Sequence, residues 1–347
     1  MSVDSKALGS RPEGAPSQPG GGAVRAGAAV RDWSAMYPRL AMLGFLLALI
    51  ALFSILRPSE FPTMGNAQAI LSQQAVPCIL ALAVTLPLLA GEFDLSLGAT
   101  LGFVAVFAAW AFASGWGIPA VVIVSLAIGI AIGAVNVLLV VGVGLNSFIA
   151  TLAVSTVLEG GSQLVSGGST LYEDIPHALR SAGQTNVAEI PLVAIYAVVV
   201  AFILWYVTDL SPFGRRLRAT GMGRDAARLI GVPTARYVTA GLVSAALVAA
   251  LAGVILLAKT GSATPTTGTG LILPAYAAAF LGAATMKPTR FNVWGTLIAV
   301  LVLSVGISGL TMLGAPAWVP DVFNGTALAL ALAVSEIVGR RTGTRNR

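Results

Sequence analysis

The sequence has very few of the residues that a water-soluble surface or a catalytic centre needs. Charged residues make up only 10% of its 347 positions, whereas soluble globular domains carry about 25%. So few charges cannot cover the surface of a folded chain of this length in water, which excludes an ordinary soluble protein. The single cysteine, Cys78, excludes a disulfide framework. With one histidine, His177, besides, we predict no metal site and no catalytic constellation.

Hydrophobic residues are abundant instead, at 56% of the chain. They fall into runs of roughly 17 to 25 residues, the length that crosses a bilayer. The fold class predicted is therefore an all-α polytopic membrane protein with about ten transmembrane helices, some central ones short or broken. Pro77 and Pro87 predict a break in the second span. The predicted spans are 39–56, 67–89, 95–113, 118–142, 147–165, 190–208, 236–258, 271–285, 291–312 and 319–338.

The basic residues predict the orientation of these spans. Seventeen of the 20 lie in the segments that are cytoplasmic if the N-terminus is cytoplasmic, and only Arg57, Arg180 and Lys259 lie outside. The positive net charge thus reflects topology, not a nucleic-acid surface. We predict a disordered cytoplasmic tail at 1–35, a transmembrane domain at 36–340 and a cytoplasmic C-terminal tail at 341–347, with both termini cytoplasmic.

A phosphate-binding loop is missing. The three lysines do not follow a glycine, which excludes the G-x-x-x-x-G-K pattern. The stretch Gly221–Ala226 fits a dinucleotide-binding pattern, but it follows an apolar span and a basic loop instead of a strand. We therefore predict that the chain is not an enzyme, that it binds no cofactor, and that any ATP is bound by a separate subunit.

Two motifs between apolar runs carry polar groups. In Gly91–Gly98, Glu92 and Asp94 either face a cavity or belong to a short cytoplasmic turn that caps the next helix. Asn146 opens the fifth span, where capping is the simpler interpretation. Glu159, deep in that span with Gln163 one turn on, suggests a polar interior face or an interhelical hydrogen bond.

The loop at 209–235 is basic, and its second half is typical of a short helix. Residues 224–230 combine apolar and basic side chains, and Gly231 provides a C-terminal stop. A helix that lies on the membrane surface is the alternative. A docking helix for a cytoplasmic partner fits this mixture of side chains better.

These residues resemble the ribose-type permeases of bacterial ABC importers. The family pattern Gly-Gly-Ile-Asp-Leu-Ser-Val-Gly is similar to Gly91–Gly98, Pro-Phe-Ile-Ala-Thr-Leu is similar to Ser147–Leu152, and the family's coupling loop is similar to Phe213–Val232. The likeness runs from about residue 40 to 340. Two departures are Glu92, where glycine is usual, and Ser147, where proline is usual.

The resemblance implies a permease subunit of the bacterial inner membrane that imports a monosaccharide. Its implied partners are ABC ATP-binding subunits, an extracytoplasmic solute-binding protein, a second permease copy in a homodimer, and membrane lipid. The residues implied nearest the substrate pathway are Glu92, Asp94, Ser96, Asn146 and Phe148. Those implied in coupling to the ATPase are Arg215, Arg218, Arg224, Asp225, Ala226, Ala227, Arg228, Leu229 and Gly231.

Three alternatives stay open at this point. A permease of the same superfamily for branched-chain amino acids or nucleosides differs from the sugar motif only by degree. An ion-coupled secondary transporter needs an intramembrane acid, which Glu159 or Glu92 could supply. A membrane-embedded enzyme is disfavoured by the lack of a catalytic constellation. The identity of the solute does not follow from the sequence.

Overall fold

A computed structural model describes residues 37–285 and 290–341. The predicted N-terminal tail and residues 342–347 of the predicted C-terminal tail lie outside this range. The described residues form thirteen α-helices and one two-stranded sheet. The helices are α1 Tyr37–Leu56, α2 Met64–Leu89, α3 Ser96–Ala113, α4 Ile118–Val137, α5 Ser147–Ser166, α6 His177–Gln184, α7 Leu192–Trp205, α8 Pro212–Met222, α9 Arg224–Leu229, α10 Thr234–Thr260, α11 Thr269–Thr285, α12 Val293–Met312 and α13 Val319–Arg341.

Ten of these helices correspond to the ten predicted spans. Seven are long and apolar enough to cross a membrane, and α1, α11 and α13 contribute shorter apolar stretches. Helices α4 and α7 are extended by π-helical turns at Leu138–Gly142 and Tyr206–Leu210. With these extensions counted, every predicted edge lies within three residues of the observed one. The predicted fold class, an all-α polytopic membrane protein, is confirmed.

The expectation that Pro77 and Pro87 break the second span is wrong, because α2 runs through both prolines. A proline removes the hydrogen bond to the carbonyl four residues earlier, which for Pro77 is the carbonyl of Gln73. The ammonium of Lys259 donates to that carbonyl oxygen at 3.5 Å. The neighbouring helix α10 thus satisfies the acceptor that the proline releases.

Helix α10 lies at the centre of the bundle and packs against α2, α3 and α4. Small residues allow this approach, since a Cβ atom added at Gly133 would lie 2.8 Å from Cα of Val243 in α10. Gly98 and Gly102 of α3 both abut Gly268 in the same way. Glycine at these positions therefore lets the helices approach closely.

The two ends of the bundle carry different short elements. α10 starts just after α9 and, about 40 Å further along its axis, ends beside α6, where Gly183 abuts Ala258 and Lys259. We call these the α8–α9 end and the α6 end. Next to α6, strands β1 (Asn186–Val187) and β2 (Ile190–Pro191) pair antiparallel. Both α6 and α8 were missed by the sequence analysis, which predicted a helix only for residues 224–230 of the basic loop.

Candidate functional site

The loop between α2 and α3 consists of residues 90–95. Gly91 adopts φ of +80°, a left-handed conformation that favours glycine. A Cβ atom at Gly91 would lie 3.2 Å from Cα of Gly221, near the end of α8. Glycine at both positions therefore lets this loop, which we call the α2–α3 loop, touch the basic segment at the α8–α9 end.

Hydroxyl groups from two other helices hold the backbone of this loop. The N–H groups of Phe93 and Leu95 donate to the side chains of Ser147 (3.2 Å) and Thr151 (3.0 Å) in the first turns of α5. The N–H of Asp94 donates to the hydroxyl of Tyr276 in α11 at 2.9 Å. Because a proline could not accept the Phe93 bond through its side chain, the departure at Ser147 adds an anchor for the loop.

Asp94 and Ser96 form a buried polar network with Asn136 of α4. All three residues have 0% exposure. The Asp94 carboxylate accepts from the Ser96 hydroxyl (2.6 Å), the Ser96 N–H (3.0 Å) and the Asn136 amide (3.2 Å). The Asn136 amide also donates to the Ser96 hydroxyl at 2.8 Å. The Asp94 carboxylate thus accepts from the first N–H group of α3 and, satisfied in this way, holds the start of the helix in place.

Asn136 was missed by the sequence analysis. Its only signal was an amide inside a long apolar span, which by itself names no partner. The structure brings it to Asp94 and Ser96, two residues implied to lie near the pathway.

Glu92, two residues before Asp94, forms an ion pair with Arg224, the first residue of α9. The glutamate side chain is buried, while the arginine side chain is half-exposed. One residue of the predicted pathway thus contacts one residue of the predicted coupling segment. This departure from the family pattern gives the chain a charged contact between the α2–α3 loop and α9.

Phe93, beside Glu92, heads an aromatic cluster. Its ring centroid lies 6.0 Å from that of Tyr276, 6.3 Å from Phe280 and 6.4 Å from Phe148. Phe93 and Phe148 remain 39% and 47% exposed in the single chain. Of the predicted pathway residues, Phe148 therefore presents a surface, while Asp94 and Ser96 are entirely enclosed.

Asn146, the fifth predicted pathway residue, is exposed and caps α5. Its side-chain oxygen accepts from the N–H of Phe148 at 3.0 Å and of Ile149 at 3.4 Å. This is the capping role that the sequence analysis favoured.

The coupling segment is a pair of helices, α8 and α9, with an exposed apolar surface. Leu229 is 89% exposed. Met222 and Ile230 are also strongly exposed, and Ala226 lies on the same exposed side. Gly231, with φ of +80°, ends the segment as predicted. Ala227, however, is buried against the chain itself, so its side chain is not available to a partner in this arrangement.

Several charged residues of the segment have partners within the chain. Arg218 forms an ion pair with Asp209 at 2.8 Å, and Arg228 donates to the hydroxyl of Thr234 at 3.0 Å. Asp225 is highly exposed and lies 3.8 Å from Arg228. Arg215 is exposed beside a cavity of about 360 Å³, which Arg218 and Arg290 also line. This end of the bundle is therefore both basic and apolar.

Comparison with known proteins identifies the family. Residues 66–332 match the model of the family described as branched-chain amino acid transport system / permease component. The ribose import permease protein RbsC of Escherichia coli is 32% identical over 83% of this chain and 91% of its own length. The autoinducer 2 import system permease protein LsrD of Klebsiella pneumoniae is 31% identical over 86% and 90%. The D-allose transport system permease protein AlsC of Escherichia coli is 27% identical over 85% and 91%.

No solved structure matches the chain significantly. The family match covers most of the described residues, and the similarity to the relatives extends over nearly the whole length of each relative. The predicted resemblance to ribose-type ABC importer permeases is confirmed, and the chain belongs to this family of membrane transport permease components.

Proposed function

We propose that this chain is the membrane-spanning permease of an ATP-driven importer for a monosaccharide. A separate subunit would bind and hydrolyse ATP, and an extracytoplasmic protein would deliver the solute. Support for the solute class comes from relatives whose names specify ribose and D-allose. We propose that two copies of the chain form the pathway, with the α8–α9 end in the cytoplasm.

One observation carries the mechanism: the ion pair between Glu92 and Arg224. Arg224 begins the helix whose far end exposes Leu229. Glu92 belongs to the loop that Ser147 of α5 and Tyr276 of α11 hold by hydrogen bonds. A movement of α9 caused by the ATPase would thus reach the α2–α3 loop directly and, through it, the start of α5.

In this scheme the helices of the chain alternate between two arrangements during transport. The chain contributes to transport through the free-energy difference between these arrangements. In the described arrangement the Asp94 network and the Glu92 ion pair are both formed. Binding of ATP to the partner subunit would favour a second arrangement only to the extent that this subunit binds α9 more tightly in that arrangement. No bond to the solute is made or broken in this scheme.

Docking of the ATPase on α9 gives the sharpest test of the proposal. Leu229→Glu removes an apolar side chain that is 89% exposed in the free chain. Burial of a leucine contributes about 1.5–3 kcal/mol, which corresponds to roughly 10–150-fold in affinity. We expect the variant to fold and insert normally, but to lose co-purification with the ATPase subunit and uptake of labelled pentoses and hexoses.

Tyr172→Glu is the matched control, because Tyr172 is 67% exposed but lies in the loop between α5 and α6. It should retain the ATPase at wild-type yield. Retention of the ATPase by Leu229→Glu as well would contradict the docking role of α9.

Two further measurements decide between the alternatives. An ion-coupled transporter would take up solute without the ATPase and would stop on addition of a protonophore. A permease for branched-chain amino acids or nucleosides would be revealed by calorimetric screening of the partner binding protein against these solutes and monosaccharides.

A further inference from the structure

Helix α5 exposes a surface that is divided into a polar and an apolar half. With 3.6 residues per turn, its ten exposed residues fall into two neighbouring sectors of about 80° each. The first sector, which we call the polar half, contains Phe148, Leu152, Thr156, Glu159 and Gln163. The second sector, which we call the apolar half, contains Ile149, Ala153, Val157, Gly160 and Leu164.

Glu159 is the one charged residue in the polar half of α5. It lies twelve residues into α5, about 18 Å along the helix axis, so it is well inside the hydrocarbon of a 30 Å bilayer. Its only partner in the described part of the chain is the hydroxyl of Ser155, 3.3 Å away on the same helix. A carboxylate that faces lipid at this depth is strongly disfavoured, so it usually faces a water-filled cavity or a partner.

A comparison with α4 shows that exposure alone does not explain the polar half. The span Ile118–Gly142 is even less buried than α5, and its two polar residues, Ser125 and Asn136, are both fully enclosed. Every exposed residue of that span is apolar or glycine, as expected for a lipid-facing helix. By contrast, α5 has the lowest mean hydropathy of the seven candidate spans and exposes its polar residues.

The polar half also continues the site described above. Its near end is Phe148, whose ring contacts Phe93 of the α2–α3 loop. Further along are a hydroxyl, a carboxylate and an amide, from Thr156, Glu159 and Gln163. Together these groups can accept hydrogen bonds from hydroxyls and donate hydrogen bonds to them. An aromatic ring can cover the apolar face of a sugar.

We infer that Thr156, Glu159 and Gln163 line the water-filled translocation pathway and contact a polyhydroxylated solute as it passes. The neighbouring sector, with Val157 and Leu164, faces lipid. This inference rests on the proposed function, because it assigns the pathway of that same transporter.

Accessibility of single cysteines tests the assignment. The one native cysteine, Cys78, is buried and can be replaced by alanine. Single cysteines are then introduced at Thr156, Glu159 and Gln163, and in matched variants at Ala153, Val157 and Leu164. The complex with the ATPase is reconstituted in lipid vesicles and treated with a charged methanethiosulfonate reagent, which reacts only with thiols that water reaches.

We expect the three polar-half positions to react at least tenfold faster than the three apolar-half positions. Equal, slow reaction in both sets would overturn the inference, because it would mean that the polar half is packed dry against a second copy or another subunit. Loss of ATPase association, by contrast, would count against the proposed function and is scored separately on the same samples.

The charge of Glu159 gives a second readout. At a cysteine in position 156, one turn away, a cationic reagent should react faster than an anionic one of similar size. Glu159→Gln should remove that preference while leaving the cysteine accessible. An unchanged preference in Glu159→Gln would show that the carboxylate does not face the pathway.

Discussion

The Asp94 carboxylate is predicted to stabilise the fold, not to contact the solute. It is fully buried and accepts hydrogen bonds from the Ser96 hydroxyl, from the Ser96 N–H and, through both of its oxygens, from the Asn136 amide. Asp94→Ala would leave these donors without their acceptor, at about 1–3 kcal/mol for each unsatisfied buried group. Because the Asn136 amide also donates to the Ser96 hydroxyl, part of the network survives. We therefore expect a loss of about 3–5 kcal/mol.

Asp94→Asn should cost less, about 1–2 kcal/mol. It keeps one acceptor oxygen and places an amide where Asn136 can face it with its own side-chain oxygen, which has no partner among the described residues. The exchange variant Asp94→Asn with Asn136→Asp restores one carboxylate and one amide to the pair. It should therefore recover part of the stability that Asp94→Asn loses.

The assay is thermal unfolding of the purified, detergent-solubilised protein, monitored as the loss of its monodisperse peak in size-exclusion chromatography. A loss of 3–5 kcal/mol corresponds to a lower midpoint by roughly 5–15 °C. Asp225→Ala is the control, because this aspartate side chain is 97% exposed on α9 and should leave the midpoint unchanged. The reasoning is refuted if Asp94→Ala melts at the wild-type temperature while uptake is lost, since the carboxylate would then act on the solute.

Three further predictions concern coupling, packing and orientation. Glu92→Gly should keep the ATPase bound but reduce uptake several-fold, because it removes the contact with Arg224. The double variant Glu92→Gly with Arg224→Ala should reduce uptake no further. An additive loss of uptake would show that the two residues act separately. Gly133→Leu should lower the unfolding midpoint, because its side chain would overlap α10, and an unchanged midpoint would contradict this packing. Alkaline phosphatase fused after Arg347 should be inactive and after Glu173 active, and the reverse pattern would overturn the proposed orientation.

Much of the fold was predictable because the relevant forces are local in sequence. An apolar run long enough to cross the hydrocarbon forms a helix, since its backbone groups find no other partners there. The edges of α5, and those of α4 together with its π-helical extension, follow from this rule almost to the residue. The break expected in α2 is wrong, and at Pro77 the carbonyl that loses its helical bond accepts one from a distant side chain, that of Lys259. Such a rescue depends on which helix lies alongside, and no local pattern contains that information.

The candidate site shows the same limit. The motif Gly91–Gly98 stood out in the sequence, but position alone left its acids between a cavity and a turn. Tertiary packing separates them, because Asp94 meets Asn136 of α4 while Glu92 meets Arg224 of α9. Likewise, the amphipathic character of residues 224–230 was visible, but which side of α9 is free was not. Ala227 is buried and Leu229 is exposed because α9 packs on its own chain.

The sequence by itself determined that this protein spans a membrane, where its spans lie, and which family it belongs to. These properties depend on hydrophobic length, charge placement and motif order, all of which are read along the chain. The tertiary structure decided which polar groups satisfy one another and which remain exposed. Those outcomes depend on contacts between helices far apart in sequence, and the exposed face of Glu159 on α5 is visible only once its neighbours are in place.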